Sequence, residues 1–291
     1  MVDWRDMTAP SAASKGTLFV VATPIGNLED ITLRALRMLK EVDLIACEDT
    51  RQTQKLLSHY GIEKPTVSYH EHNEAERAAE LVARLDQGAK IALVSDAGMP
   101  GISDPGYRVV ALAVERGITV VPIPGAVAFA SALAASGLAT DAFRFNGFLP
   151  AKSGQRKEAL EGILSSLLTE IFYEAPHRLI DSLRDIVAVL GAERPVVAAR
   201  ELTKIHEEFV RGSAGEVLRV FEERVGEVKG EIVLLIGKGS APVAAKVNAR
   251  ERLDTIMREQ KLDEKAALKV LAREMGVSKS EVYREVQRGR R

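Results

Sequence analysis

Residues 90–106 read KIALVSDAGMPGISDPG, an apolar run of strand length followed at once by three glycines, two prolines and two aspartates within 95–106. A buried strand running into such a loop sets bare main chain at the edge of a sheet. There a ligand can be held by N–H and C=O groups rather than by bulky side chains. The two familiar glycine fingerprints are missing. No G-x-G-x-x-G follows a strand-like run, and GKGS at 237–240 lacks the upstream glycine of a phosphate-wrapping loop.

The same unit, a short β-rich run followed by a stretch of helical length, recurs around it. TLFVVA (17–22), DLIAC (43–47), TVSY (66–69), KIALVS (90–95) and ITVVPI (118–123) are five such runs. They predict an α/β domain with a largely parallel, doubly wound sheet over 16–145. A second series follows: EIFYEA (170–175), RPVVAARELT (194–203), EEFVRG (207–212) and GEIVLLIG (230–237), with helices expected at 156–168, 177–190 and 214–224. Its closely spaced strands predict a mixed sheet and a second α/β domain over 146–240.

The chain has 291 residues, 46% of them apolar, and a formal charge of −1, enough for two ordinary domains. One cysteine, Cys47, forms no internal disulfide, and no cysteine and histidine cluster has metal-ligand spacing, so a reducing cytoplasm and no metal are expected. Neither a signal-peptide core nor an eighteen-residue apolar span is present, so no membrane is expected, and residues 1–15 are expected to be mobile. The near-zero charge conceals an asymmetry: 246–291 carries thirteen Lys and Arg against eight Asp and Glu. VAAKVNARE (243–251) reads as a linker. Beyond it, apolar residues at Ala267, Val270, Leu271, Val277, Val282 and Val286 have helical spacing, broken at Gly276 and Ser278, as in a basic helix-turn-helix tail.

In open α/β sheets, ligands sit beyond the carboxyl ends of the strands. The loops expected there are TPIGN (23–27), EDTR (48–51), HEHNE (70–74), the 95–106 segment and PIPGAVAFASALAASG (122–137). Several of these residues read equally well as structural. Asp49 or Thr50 suits an N-cap, His70 and His72 suit a surface turn, and Lys204 a solvated strand end.

Taken together, VATPIGNLEDIT, EDTRQTQKLL, SYHEHNE, SDAGMPGISDPG, PGAVAFASALAASG, GFLPAKSGQRK, FYEAPHRL and ARELTKIHEEFVRG resemble the tetrapyrrole-methylase superfamily, and within it the group that methylates small-subunit ribosomal RNA. The likeness spans 16–238, and a helix-turn-helix tail is also typical of that group. It implies two α/β domains with S-adenosylmethionine in the cleft between them. It also implies transfer of a methyl group to the 2′-hydroxyl of a cytidine in the decoding region, on ribosomal RNA or an assembled small subunit, by a cytoplasmic homodimer. Members acting on tetrapyrroles usually carry Gly-Asp-Pro in the fourth-strand loop. Here the triplet is Gly98-Met99-Pro100, which leaves Asp96 and Asp104 as carboxylates for that position.

On that resemblance the expected cofactor residues are Pro24, Gly26, Asp96, Gly98, Met99, Ile102, Ser103, Gly125, Ala126, Ala128 and Tyr173. Asp49, Arg51, Glu201 and Lys204 are the expected catalytic residues: the acids as bases, Arg51 and Lys204 to hold phosphate or a developing alkoxide. Glu48, Lys55, His70, Asn73, Lys152 and Arg156 are expected to meet the substrate, with Glu48 and His70 also candidate bases. Two other functions fit parts of the pattern: methylation of a tetrapyrrole in the same cleft, and a DNA-binding regulator that senses S-adenosylmethionine.

Overall fold

The computed structural model describes residues 15–224, 226, 228–239, 249–260, 262–275, 282–284 and 286. The expected mobile segment, except Lys15, and the helix break at Gly276 and Ser278 lie outside them. Residues 1–238 form one compact unit and 239–291 another.

The larger unit opens with β1 (Thr17–Val21), α1 (Leu33–Glu41), β2 (Leu44–Cys47), α2 (Thr50–His59), β3 (Thr66–Ser68), α3 (Glu74–Asp86), β4 (Lys90–Val94), α4 (Tyr107–Glu115), β5 (Thr119–Ile123) and α5 (Ala128–Ser136). These strands form a sheet of order β3-β2-β4-β1-β5, and every pairing is parallel. A parallel sheet is covered on both faces, so its strands are apolar throughout rather than in alternation. The side-chain period of two then divides each strand between two cores. Leu44, Ala46, Ile91 and Leu93 pack with Leu81 and Leu85 of α3 and Val109 of α4. Ile45, Cys47, Ala92 and Val94 pack on the other face with Ala35 and Leu39 of α1 and Leu57 of α2.

The second sheet comprises β6 (Phe143–Phe148), β7 (Thr169–Glu174), β8 (Pro195–Arg200), β9 (Glu208–Ser213) and β10 (Ile232–Ile236), in the order β6-β7-β10-β8-β9. It is mixed as expected: β6 runs parallel to β7 and the remaining pairs are antiparallel. One face carries α6 (Ser153–Glu161), α7 (Leu179–Leu190) and α8 (Ala214–Glu222), with Leu160, Leu183, Ile186 and Phe221 packed on Phe172, Ala198 and Leu234. The opposite face holds Ile171, Val197, Val233 and Leu235 against Ala132 and Leu133 of α5 and against Ile25, which follows β1. A helix launched from the first sheet therefore lands on the second, and this contact brings the two sheets together.

Three expectations are corrected. β6 was not foreseen, and the second sheet therefore begins at Phe143 rather than at the 170–175 run. The helix expected at 156–168 runs Ser153–Glu161. The stretch read as a linker ends in a helix, α9 (Ala249–Gln260), ahead of α10 (Glu264–Met275). In that smaller unit Leu253 and Ile256 pack with Ala267, Leu268, Leu271, Val282 and Val286, so α9 completes the core of the helical hairpin. No helix of the described residues is long and apolar enough to cross a membrane.

Candidate active site

Beyond the carboxyl ends of β1, β2, β4 and β5 lies a cavity of about 430 Å³, closed on the far side by the second sheet. The β4–α4 loop supplies Asp96, Ala97, Gly98, Met99, Ile102, Ser103 and Asp104. Ile25 and Glu48 enter from behind β1 and β2, and Val127 and Ala128 from the start of α5. Phe148, Tyr173, Glu174, Leu202 and Glu231 come from the second sheet and its turns.

The β4–α4 loop is held by main chain. Thr23 and Gly98 exchange both backbone hydrogen bonds, 2.9 and 3.0 Å, so the loops after β1 and β4 form a short antiparallel bridge. Thr23 Oγ1 donates to the Ser95 carbonyl at 3.0 Å, and Ser95 Oγ to the Gly98 carbonyl at 3.3 Å. Gly98 has φ 83°, a left-handed conformation that favours glycine, and leaves main chain bare beside Ile25. Ser103 reaches φ 63° with a side chain, and residues held in that region cluster at functional sites.

The charge is one-sided. The cavity is lined by Glu48, Asp96, Asp104, Glu174 and Glu231, and by no lysine, arginine or histidine. Glu174 is neutralised by Arg178 at 2.5–2.8 Å and accepts from Ser182 Oγ at 2.5 Å. Asp104 has no such relief: burial, then the charges of Glu48, Asp96 and Glu231, push its carboxyl up to about 6 despite a hydrogen bond from Ser95. Burial, and next the Asp96 charge, also raise Glu48. An enclosed site with uncompensated acids favours a cation.

Of the expected cofactor residues, Asp96, Gly98, Met99, Ile102, Ser103, Ala128 and Tyr173 line this cavity. Pro24, Gly26, Gly125 and Ala126 do not line it. Two of those glycines make room for protein rather than for a ligand. A Cβ on Gly125 would stand 2.8 Å from that of Ala22, and one on Gly26 would run into Lys204 and Thr203.

The expected catalytic residues stand beside the cavity, not in its wall. Asp49 is the N-cap of α2, accepting from the Arg51 amide at 2.8 Å, and its side chain pairs with the Arg51 guanidinium. Those hydrogen bonds hold the Asp49 carboxyl down at about 2, which makes it a poor proton acceptor. The Asp49 amide donates to Asp96 Oδ1 at 3.0 Å, so the cap positions a cavity acid. Glu201 and Lys204 pair at 2.8 Å, and Lys204 also reaches Glu231 at 3.1 Å. This cluster fixes the turn after β8 against Gly230 and the β1 loop.

Among the expected substrate residues, Glu48 lines the cavity and His70 acts on its charge. Lys55 and Lys152 are exposed, Lys55 donating to Gln52 at 3.0 Å. Asn73 is spent on its own turn, accepting from the His70 amide at 2.9 Å and donating to the Ser68 carbonyl. Arg156 is corrected outright. It is only 3% exposed, bonded to Asp185 at 2.6–2.8 Å and to the carbonyls of Pro150 and Ala151. A buried, fully engaged guanidinium holds α6 to α7 and meets no substrate. Leu202, Glu231 and Phe148 went unrecognised. Only Phe148, inside the GFLP turn, carried a signal in an aromatic beside glycine and proline.

A family model for tetrapyrrole (corrin/porphyrin) methylases matches residues 17–218. The chain is 49% identical to a "Ribosomal RNA small subunit methyltransferase I" of Halalkalibacterium halodurans, over 92% of this chain and 94% of that one. It is also 49% identical to a protein of that name from Haemophilus influenzae, over 92% and 95%. Uroporphyrin-III C-methyltransferase of Thermus thermophilus, solved with S-adenosylhomocysteine, shares the fold: TM-score 0.52, 20% identity, 76% of this chain and 97% of that one. The parallel sheet and the mixed sheet are thus a shared architecture, and the chain belongs to the tetrapyrrole methylase family, in the group of the ribosomal RNA small subunit methyltransferase I proteins.

Proposed function

We propose that the chain is an S-adenosylmethionine-dependent methyltransferase acting on the 2′-hydroxyl of a cytidine in the decoding region of small-subunit ribosomal RNA. The observation that carries the cofactor is the acidic cavity closed by two sheets. When bound, S-adenosylmethionine supplies an electrophilic methyl group on a positively charged sulfur. Asp96 and Asp104 provide the opposite charge, and Gly98, whose main chain is spent on the bridge to Thr23, leaves the space of a missing side chain for the ligand. The RNA follows the names of relatives at 49% identity over nearly the whole chain.

Methyl transfer to oxygen forms an O–CH₃ bond as the S–CH₃ bond breaks in line, so holding the reacting atoms in register is worth about 7–11 kcal/mol. Closing the second sheet over the loop ends provides that register. The acceptor hydroxyl must lose its proton, and Glu48 is the acid placed for it: it lines the cavity and its affinity for a proton is raised by burial. A base of that kind contributes roughly 10²–10⁴-fold. The basic excess of 246–291 suits contact with the RNA backbone. A cytoplasmic homodimer completes the reading.

The test supplies labelled cofactor and small ribosomal subunits from a strain lacking the modification, then maps the label. Label on the 2′-oxygen of a decoding-region cytidine is expected. Transfer to a tetrapyrrole and none to the subunit would overturn the reading.

A further inference from the structure

Phe148 is 55% exposed at the edge of the cavity, an unusual setting for an aromatic residue of a β-strand. Strand alternation sets Phe143 and Phe145 on one face of β6 and would send position 148 to the other. The alternation is broken. The register against β7 slips between Phe145 and Phe148, and Gly147 takes φ 70°. Such bulges turn a side chain to a new direction and recur beside active sites.

Here the bulge sets Phe148 opposite Tyr173, with ring centroids 5.6 Å apart. Tyr173 also lies 4.9 Å from Phe145, which stacks on Phe129 at 4.5 Å and 16°. Three rings therefore support Phe148 from within the protein while it stays open to solvent. On the other side, a Cβ on Gly147 would stand 3.6 Å from Ser103 Oγ, so the bulge abuts the glycine loop of the cavity wall. The interior suits a cation. The rim offers a rigid, uncharged aromatic surface that suits the face of a nucleobase.

We propose that Phe148 is the stacking platform for the base of the acceptor nucleotide, so that the ribose beneath that base is presented to the cavity. The proposal rests on the RNA-methylation reading above. Stacking on an aromatic side chain is available to any base drawn out of its helix, and it positions the nucleotide without contacting the reacting oxygen.

The experiment compares Phe148→Ala, Phe148→Leu and Phe148→Tyr in the full-length protein, using unmethylated small subunits and S-adenosylmethionine. Phe148→Ala and Phe148→Leu should each raise the KM for subunits by about 5- to 150-fold, the equivalent of one lost base–aromatic stack, and Phe148→Tyr should restore it. Because Phe148 stands at the cavity edge, cofactor affinity by calorimetry should fall by much less than the rise in KM, and the melting temperature should stay at the wild-type value. A loss of cofactor affinity matching the loss of transfer would make Phe148 part of the cofactor wall and overturn the proposal. Phe148→Leu performing like wild type would also overturn it, by reducing the ring to apolar filling. If the wild-type protein transfers nothing to the subunit, the RNA reading itself fails. Transfer by wild type with an unchanged KM in Phe148→Ala defeats only the platform.

Discussion

At the scale of residues, the acids in and beside the cavity divide by what surrounds them. Asp49, which caps α2 and pairs with Arg51, is held as an anion, whereas Asp104 is raised to about 6 by burial and by neighbouring acids. The folded protein thus holds the Asp104 proton more tightly than the unfolded chain does, and the Asp104 contribution to stability falls as pH rises through about 4 to 6. A cationic ligand has the opposite preference, because it favours the ionised carboxylate. S-adenosylmethionine affinity should rise by up to about tenfold between pH 5 and pH 7, that of uncharged-sulfur S-adenosylhomocysteine less, and Asp104→Asn should flatten the difference. Calorimetry at the two pH values checks this, and parallel profiles for both ligands would remove Asp104 from the sulfonium site. Arg156 tests the reverse assignment. Deleting one partner of a buried ion pair costs about 3–5 kcal/mol, so Arg156→Ala should lower stability by that order while leaving the KM for RNA unchanged in the folded fraction. Denaturant titration beside steady-state kinetics decides it: a raised KM at full stability would return Arg156 to the substrate site.

At the scale of elements, the β4–α4 loop is secured by a carboxylate outside the cavity. Glu74 Oε1 accepts from the hydroxyl of buried Tyr69 at 3.0 Å, from the Gly106 amide at 3.2 Å and from the Arg108 amide at 3.4 Å. Arg108 Nε also lies 3.2 Å from Glu74 Oε2. The start of α3, the end of β3 and the loop are thereby tied together. Glu74→Ala should leave Tyr69 and loop amides unsatisfied, at about 1–3 kcal/mol of stability, and should weaken cofactor binding although Glu74 does not line the site. Thermal melting and calorimetry measure both, and unaltered affinity would show that the Thr23–Gly98 bridge suffices to hold the loop. This anchoring was half legible in SYHEHNE, whose residues attracted notice as substrate ligands. Nothing local in that heptapeptide reveals that its carboxylate reaches residues more than thirty positions away. β6 escaped notice for a related reason. FRFNGF is a half-exposed edge strand whose alternation is interrupted by Gly147, so it lacks the apolar run of a buried strand.

At the scale of the whole molecule, the chain divides into the two-sheet unit and a smaller helical unit with its own core. Removal of 246–291 should leave cofactor affinity intact, lower affinity for small subunits, and flatten the salt dependence of that affinity, because each lost phosphate contact removes a released counterion. Binding titrations at several salt concentrations test this. Equal slopes for the full-length and shortened chains would mean that the basic residues make no phosphate contacts.

The sequence by itself determined the parallel sheet, the mixed sheet and the loops that reach the cavity. Continuous apolar strands, helical periodicity and glycine-rich turns are local patterns, and the strand-end rule converts them into a place for the site. Tertiary structure alone decided which loop residues face the cavity. Gly26 and Gly125 look like ligand glycines but accommodate neighbouring chain, and Arg156 looks like a substrate cation but meets Asp185. Residue type states what a side chain can do. Whether it does so is set by partners brought near by the landing of α5 on the second sheet, a contact between segments far apart in the chain that no local pattern records.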